Sequence, residues 1–295
     1  MVRHPTQIHD FNMEITQEIF EHFCPVALSS DNGIFNSVSD SIVMRETFIT
    51  EVTGHDIYDD ISGICSSGYS PMDQPEDNMQ RVARSVARYI CVAALADAVP
   101  HLDLVLTETG FGVVSNANVA PASSERVERL LAQLTRFRDD NLDAVISSLR
   151  HIDGWSESEY ASRWIPSIFW NGDHARLFGQ PSATRSTLDE LAPKITDAET
   201  WLKEVLSPEF YWEMCVSERS TGTPSLNREA VRLARNCVVA HVNNLGSLES
   251  HKRILLRFIE AFPDKFGTYM SSSAYRANHF EPYENKKDDS CFFFG

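Results

Sequence analysis

The sequence lacks the short motifs that announce chemistry. Neither a G-x-x-x-x-G-K nor a G-x-G-x-x-G following a strand is present, so no glycine loop is set to cradle a phosphate. G-x-S-x-G is missing, and so is H-E-x-x-H. The six cysteines (Cys24, Cys65, Cys91, Cys215, Cys237, Cys291) form no C-x-x-C pair and follow no metal-ligand spacing. They read as reduced thiols, with Cys91 and Cys237 in apolar helical runs as small hydrophobes. No apolar run approaches the ~20 residues of a membrane span; the longest, Tyr89 to Ala96, is far shorter. Met1-Val2-Arg3-His4-Pro5 opens without an apolar core, so no secretory leader is expected. Positive charge is scarce: 26 Lys and Arg face 42 Asp and Glu, a formal net charge of -16. That excludes a nucleic-acid surface of the usual kind, which needs clustered cations to release phosphate counterions. An acidic wall would still let DNA slide past without sticking.

What is present is a repetition. Glu46-Thr47-Phe48-Ile49-Thr50-Glu51-Val52 returns as Glu199-Thr200-Trp201-Leu202-Lys203-Glu204-Val205, 153 residues later, and the match continues from Asp56-Ile57-Tyr58 to Glu209-Phe210-Tyr211. Ala87-Arg88 with Val92-Ala93 returns as Ala234-Arg235 with Val239-Ala240, at an offset of 147. Glu125 with Arg129-Leu130-Leu131 returns as Glu249 with Arg253-Ile254-Leu255, at an offset of 124. Blocks repeated in one order with shrinking offsets mean a duplicated unit whose first copy carries insertions.

The periodicity is helical nearly throughout. Ile15, Ile19, Phe20 and Phe23 make a short amphipathic piece that stops at Cys24-Pro25. Asp40 is the expected N-cap of a helix that Gly54 ends, with Ile57-Tyr58 and Ile61 beginning the next turn. Gly63 to Pro75 reads as a loop. Val82, Val86, Ile90 and Ala93-Ala94 predict a helix over 76–99, with Arg81, Arg84 and Arg88 on its other face and Pro100 at its end. Leu102, Leu104 and Leu106 then alternate with His101 and Asp103, and Gly110-Phe111-Gly112-Val113-Val114 follows Thr107-Glu108-Thr109, which reads as a β-hairpin over about 101–115. Ser123 offers an N-cap hydroxyl to a long helix reaching about Arg150. In the second copy, Val242-Asn243-Asn244-Leu245-Gly246 makes a tight helix-to-helix turn where the first has its hairpin. The expected fold is therefore mainly α: two tandem related helical subdomains with a β-hairpin inserted in the first. The first repeat spans 1–150, a Trp-rich connecting segment 151–190, the second repeat 191–272 and a C-terminal docking tail 273–295. Trp155, Trp164 and Trp170 make the connecting segment too aromatic to be floppy, and it is expected to pack between the copies.

Candidate site residues are few. Phe292, Phe293 and Phe294 follow the charged spacer Lys286-Lys287-Asp288-Asp289, the form of a tethered peptide that docks in a partner's groove, a second copy included, or else folds back onto this chain's own core. Phe111 stands at the tip of the hairpin, which reads either as a contact tongue or as a short sheet lying on the bundle. His4 with His9, His22 with Cys24, and His101 with Asp103 each lack a third ligand in register, so no metal and no cofactor is expected. Asp59-Asp60 and Asp139-Asp140 point to different faces of a helix and read as solvated charge, poor partners for acid–base work. No catalytic residue is assigned.

Several segments together resemble a family of uncharacterised proteins, a domain of unknown function, encoded in phages and prophages of Bacteroidota. They are Phe48-Ile49 with Val52, Gly54 and Ile57-Tyr58; Ala87-Arg88 with Val92-Ala93; Leu104 to Val114; Ala122-Ser123-Ser124-Glu125-Arg126-Val127; and Glu284-Asn285-Lys286-Lys287-Asp288-Asp289 with Phe292-Phe293. The resemblance implies a virion structural protein, a head–tail connector or neck subunit, made and assembled in the bacterial cytoplasm. Such a subunit is a homo-oligomeric ring on the portal, in contact with other neck or tail proteins. The family has no assigned reaction, so no catalytic residue follows from it. Two other classes stay open: a monomeric adaptor that binds one phage or host protein, and an enzyme with a site at the junction of the two repeats.

Overall fold

The computed structural model describes residues 13–25, 33–102 and 123–279, and between them the backbone of two short strands. The protein is mainly helical, with thirteen α-helices among the described residues. It divides into two compact units. The first holds residues up to 166, 170–189 and 219–222; the second holds 167–169, 190–218 and residues from 223 onward.

The first unit is organised around α4 (Asn78–Ala98), which packs on α1 (Gln17–Phe23), α2 (Gly33–Thr53), α3 (His55–Ser66) and α5 (Ser124–Leu149). Its sequence explains that position. From Tyr89 to Leu95 it is apolar on every side and made largely of Ala, Val and Cys, and all seven residues are buried. Small side chains let neighbouring backbones approach closely, and all-round apolarity is stable only when covered. Asp77 caps the helix, its carboxylate accepting from the Gln80 amide at 2.8 Å. Beyond a 3-10 turn at Val99–His101, β1 (Leu104–Thr107) and β2 (Gly110–Val113) pair antiparallel, with Leu106 opposite Phe111.

α2 is longer than expected: it starts at Gly33, so Asp40 lies within it and caps nothing. Its buried stripe is Val38, Ile42, Glu46, Ile49 and Thr53. It ends where Gly54 takes φ +85°, a conformation that L side chains rarely adopt. The ring of Tyr160 lies over this glycine so closely that a Cβ there would stand 2.7 Å from its Cε2. The carbonyls a helix end leaves without partners are met by the same segment. The indole of Trp155 donates to Val52 at 3.2 Å, and that of Trp164 to Glu51 at 3.4 Å. The Trp-rich stretch with α6 (Glu159–Trp164) thus closes the α2–α3 corner, and all but residues 167–169 of the segment to Asp189 fall in the first unit.

Asp139 and Asp143 tie α5 to the following chain. Asp139 is buried rather than solvated. Its carboxylate accepts from the Ser186 hydroxyl at 2.6 Å and amide at 3.2 Å, at the start of α8 (Arg185–Leu206), and from Arg138. Asp143 accepts from Arg185 at 2.8 Å and from the amide of Gly172 at 2.7 Å, where α7 (Gly172–Arg176) begins. Ser123 stands at the N-cap of α5, but its hydroxyl makes no cap bond; its carbonyl accepts from Arg126 and Val127.

The second unit follows from α8 through α9 (Pro208–Glu218), α10 (Ser225–Val242), α11 (Leu248–Glu260), α12 (Gly267–Met270) and α13 (Ser273–Asn278). α8 ends at Ser207, which takes φ +87°. There the Asn278 amide donates to the Val205 carbonyl at 3.5 Å, and the Ser207 hydroxyl accepts from the Phe210 amide at 3.3 Å. The tight turn after α10 holds Asn244 at φ +50°. Phe210, Phe266 and Tyr269 pack ring against ring in the core.

Gly54→Ala should destabilise the chain by roughly 1–3 kcal/mol in denaturant titrations, because the backbone conformation and the Tyr160 contact both oppose a Cβ. Ser207→Gly, which relieves a strained φ while losing one cap bond, should change stability by no more than about 1 kcal/mol. Equal costs at the two positions would show that neither corner is under steric constraint.

Candidate functional site

The most unusual side chains are two buried acids on apolar stripes. Glu46 occupies a core position of α2 and is 7% exposed, and no described residue donates a hydrogen bond to its carboxylate. Burial pushes its pKa up to about 7. Tyr58 on α3 feels that charge, and burial first and Glu46 second push its phenol up. The Tyr58 hydroxyl accepts from the Met13 amide at 3.3 Å.

Glu199 holds the corresponding place on α8, 153 residues on, and Tyr211 the place of Tyr58. Both are buried. Burial raises the Glu199 carboxyl, opposed by Tyr211 and Ser167, and the Tyr211 phenol rises through burial and the neighbouring Glu199. The two groups interact electrostatically, but Glu199 Oε1 and the Tyr211 hydroxyl lack a partner of good hydrogen-bond geometry. In the same unit, Arg235 pairs with Glu218 at 2.6 Å and donates to the Ile168 carbonyl at 2.8 Å. Both acids and both phenols are buried in the cores of their units.

The first unit also carries an open groove of about 360 Å³. Its apolar lining comes from Met13, Ile19, Pro71 and Met72, and Glu14 and Glu18 stand at its edge. The 70–73 turn that forms one wall is held by Arg84, whose Nη1 reaches the carbonyls of Pro71 at 3.1 Å and of Met72 and Asp73 at 2.6 Å. The Arg84 guanidinium also lies over the Phe23 ring. Thr16, Ser62, Ser66 and Ser70 also line the groove, so its lining is mixed, and its two acids suit a partner that carries cations.

Of the residues expected to bind neighbours, Phe292, Phe293 and Phe294 lie outside the described residues, and Phe111 sits on β2. His22 is exposed, its ring edge-on to Phe23. Asp59 and Asp60 are exposed, as read. Among the described residues no group of His, Cys, Asp and Glu is arranged to hold a metal, and Cys24, Cys65, Cys91, Cys215 and Cys237 are free thiols. No helix of the described residues is long and apolar enough to cross a membrane. Sequence reading passed over Glu46 and Glu199, although a signal was there: a glutamate falls on the buried stripe at the same place in both repeated blocks.

The raised Glu46 pKa has a defined sign in stability. Between about 4.5, the ordinary value, and about 7, the folded state holds a proton that the unfolded state releases, so stability falls as pH rises through that window. Glu46→Gln should flatten this slope and leave the variant more stable at pH 8 by on the order of 1–3 kcal/mol, relative to the difference at pH 4. Parallel pH profiles of the two proteins would contradict a desolvated Glu46.

Comparison with curated proteins and with solved structures returns no match. Residues 49–163, from within α2 to within α6, match DUF6712, a family of unknown function.

Proposed function

We propose that the chain is a structural subunit of a phage or prophage virion, a head–tail connector or neck protein that assembles into a ring on the portal. The observation that carries this reading is an exposed apolar patch on α9. Trp212 is 53% exposed and Val216, one turn on, is 41% exposed. A half-exposed large aromatic beside a second exposed apolar side chain is characteristic of surfaces that other proteins cover. The mainly helical architecture and the resemblance of the repeated motifs agree with that role. The site chemistry favours assembly over catalysis, since the perturbed acids Glu46 and Glu199 are buried in cores. On this reading the protein resides in the virion and is assembled in the cytoplasm, with Phe111 and the Phe292–Phe294 tail joining neighbours.

The reading includes a duplication, two related helical subdomains with the hairpin inserted in the first. Its support is positional. Gly54 and Ser207, both at positive φ, end α2 and α8 at the same place in the repeat. The Val52 and Val205 carbonyls, again 153 apart, both accept side-chain hydrogen bonds. Glu46 with Tyr58 and Glu199 with Tyr211 are both buried.

Measuring the solution mass of the full-length chain, alone and with the portal protein of the same genome, tests the reading. A ring-sized species, or one formed on mixing, is expected. Deleting residues 280–295 should leave a folded chain that assembles less. A monomer indifferent to the portal would replace the connector with the monomeric adaptor.

A further inference from the structure

The surface of the second unit holds a local exception to the acidity of the chain. On α11, Arg253, Ile254 and Arg257 lie on one exposed face, three and four residues apart. Ile254 is 51% exposed. Neither arginine pairs with a described acid. The nearby acids on the helix are engaged elsewhere, Glu249 with Lys252 at 3.9 Å and Glu260 with His279 at 3.4 Å. In a protein with 42 acidic and 26 basic side chains, two unpaired arginines flanking an exposed isoleucine form a distinct cationic and apolar face.

The groove of the first unit has the opposite character. Met72 and the mostly buried Met13, Ile19 and Pro71 share its lining with Thr16, Ser62, Ser66 and Ser70, and Glu14 and Glu18, also in the lining, are exposed and form no ion pair with a described residue. Arg84 fixes the 70–73 wall through three carbonyls, so the groove is pre-formed and little ordering accompanies its filling.

We propose that the α11 face of one copy docks into this groove of a second copy, with Ile254 against Met72 and Arg253 and Arg257 beside Glu14 and Glu18. The inference rests on the ring reading and names the contact that would close the ring. A contact between two different surfaces of the same chain is heterologous, and repetition of such a contact generates rings or filaments rather than a closed dimer. Complementary charge at the edge sets orientation, and apolar burial at the centre supplies affinity.

Charge reversal tests it, with assembly of the full-length chain followed by sedimentation velocity across a concentration series. Glu14→Lys with Glu18→Lys, and separately Arg253→Glu with Arg257→Glu, should each weaken self-association by about tenfold or more. All four positions are exposed, and unchanged circular dichroism verifies that each variant folds. The protein carrying all four reversals should recover association to near the wild-type level, because the pairing is restored with its signs exchanged. Wild-type assembly that both pairs leave unchanged, or four reversals that recover nothing, would overturn this contact and leave the ring reading intact. A wild-type chain that stays monomeric both alone and with the portal would overturn the ring reading and this contact with it.

Discussion

The corner at Gly54 is the constraint on which the first unit is built. A helix that stops leaves carbonyls without partners inside the helix, and donors from elsewhere in the chain can meet them. Here the donors are the indoles of Trp155 and Trp164, brought from a hundred residues further along the chain. The glycine has to be a glycine twice over, for its positive φ and for the Tyr160 ring against its Cα. With the corner closed, α2 and α3 both lie on α4, and the Ala- and Val-rich centre of α4 is covered. The second unit handles the same break differently. Ser207 accepts the unfavourable φ and returns a cap bond to Phe210, and Asn278 supplies the donor for Val205.

Burial of Glu46 and Glu199 runs against the usual placement of acids and lowers stability once they ionise. The two glutamates stand 153 residues apart, at the same place in the repeated sequence blocks. Their tyrosine neighbours are raised as well, by burial first and the neighbouring glutamate second. Exposed charge and apolar area lie elsewhere: a groove with two exposed acids on one unit, and a cationic face and an exposed indole on the other.

Much of the helical layout was legible. The period of α4 and the length of α5 follow from apolar residues three and four apart, Gly54 marked the end of α2, and Pro100 marked the end of α4. The start of α2 was not legible, because Asp40 offered a good cap signal while the apolar stripe reaching back to Val38 extends the helix past it. Asp139 looked like one of two solvated neighbours. Its burial depends on Ser186, 47 residues away, which no local pattern reveals. Arg84 read as one of three arginines on a polar face, whereas it alone reaches the carbonyls of the 70–73 turn.

By itself the sequence determined the helical periodicity, the repeated blocks, the acid excess and the places where the chain must turn. These are local or compositional properties, set by side-chain spacing and backbone conformation. Only the tertiary structure decided which donors cap α2, which acids lose water and which arginines stay unpaired. Those depend on contacts between residues tens to a hundred positions apart, where the balance between desolvation and a specific partner is fixed by packing rather than by sequence neighbours.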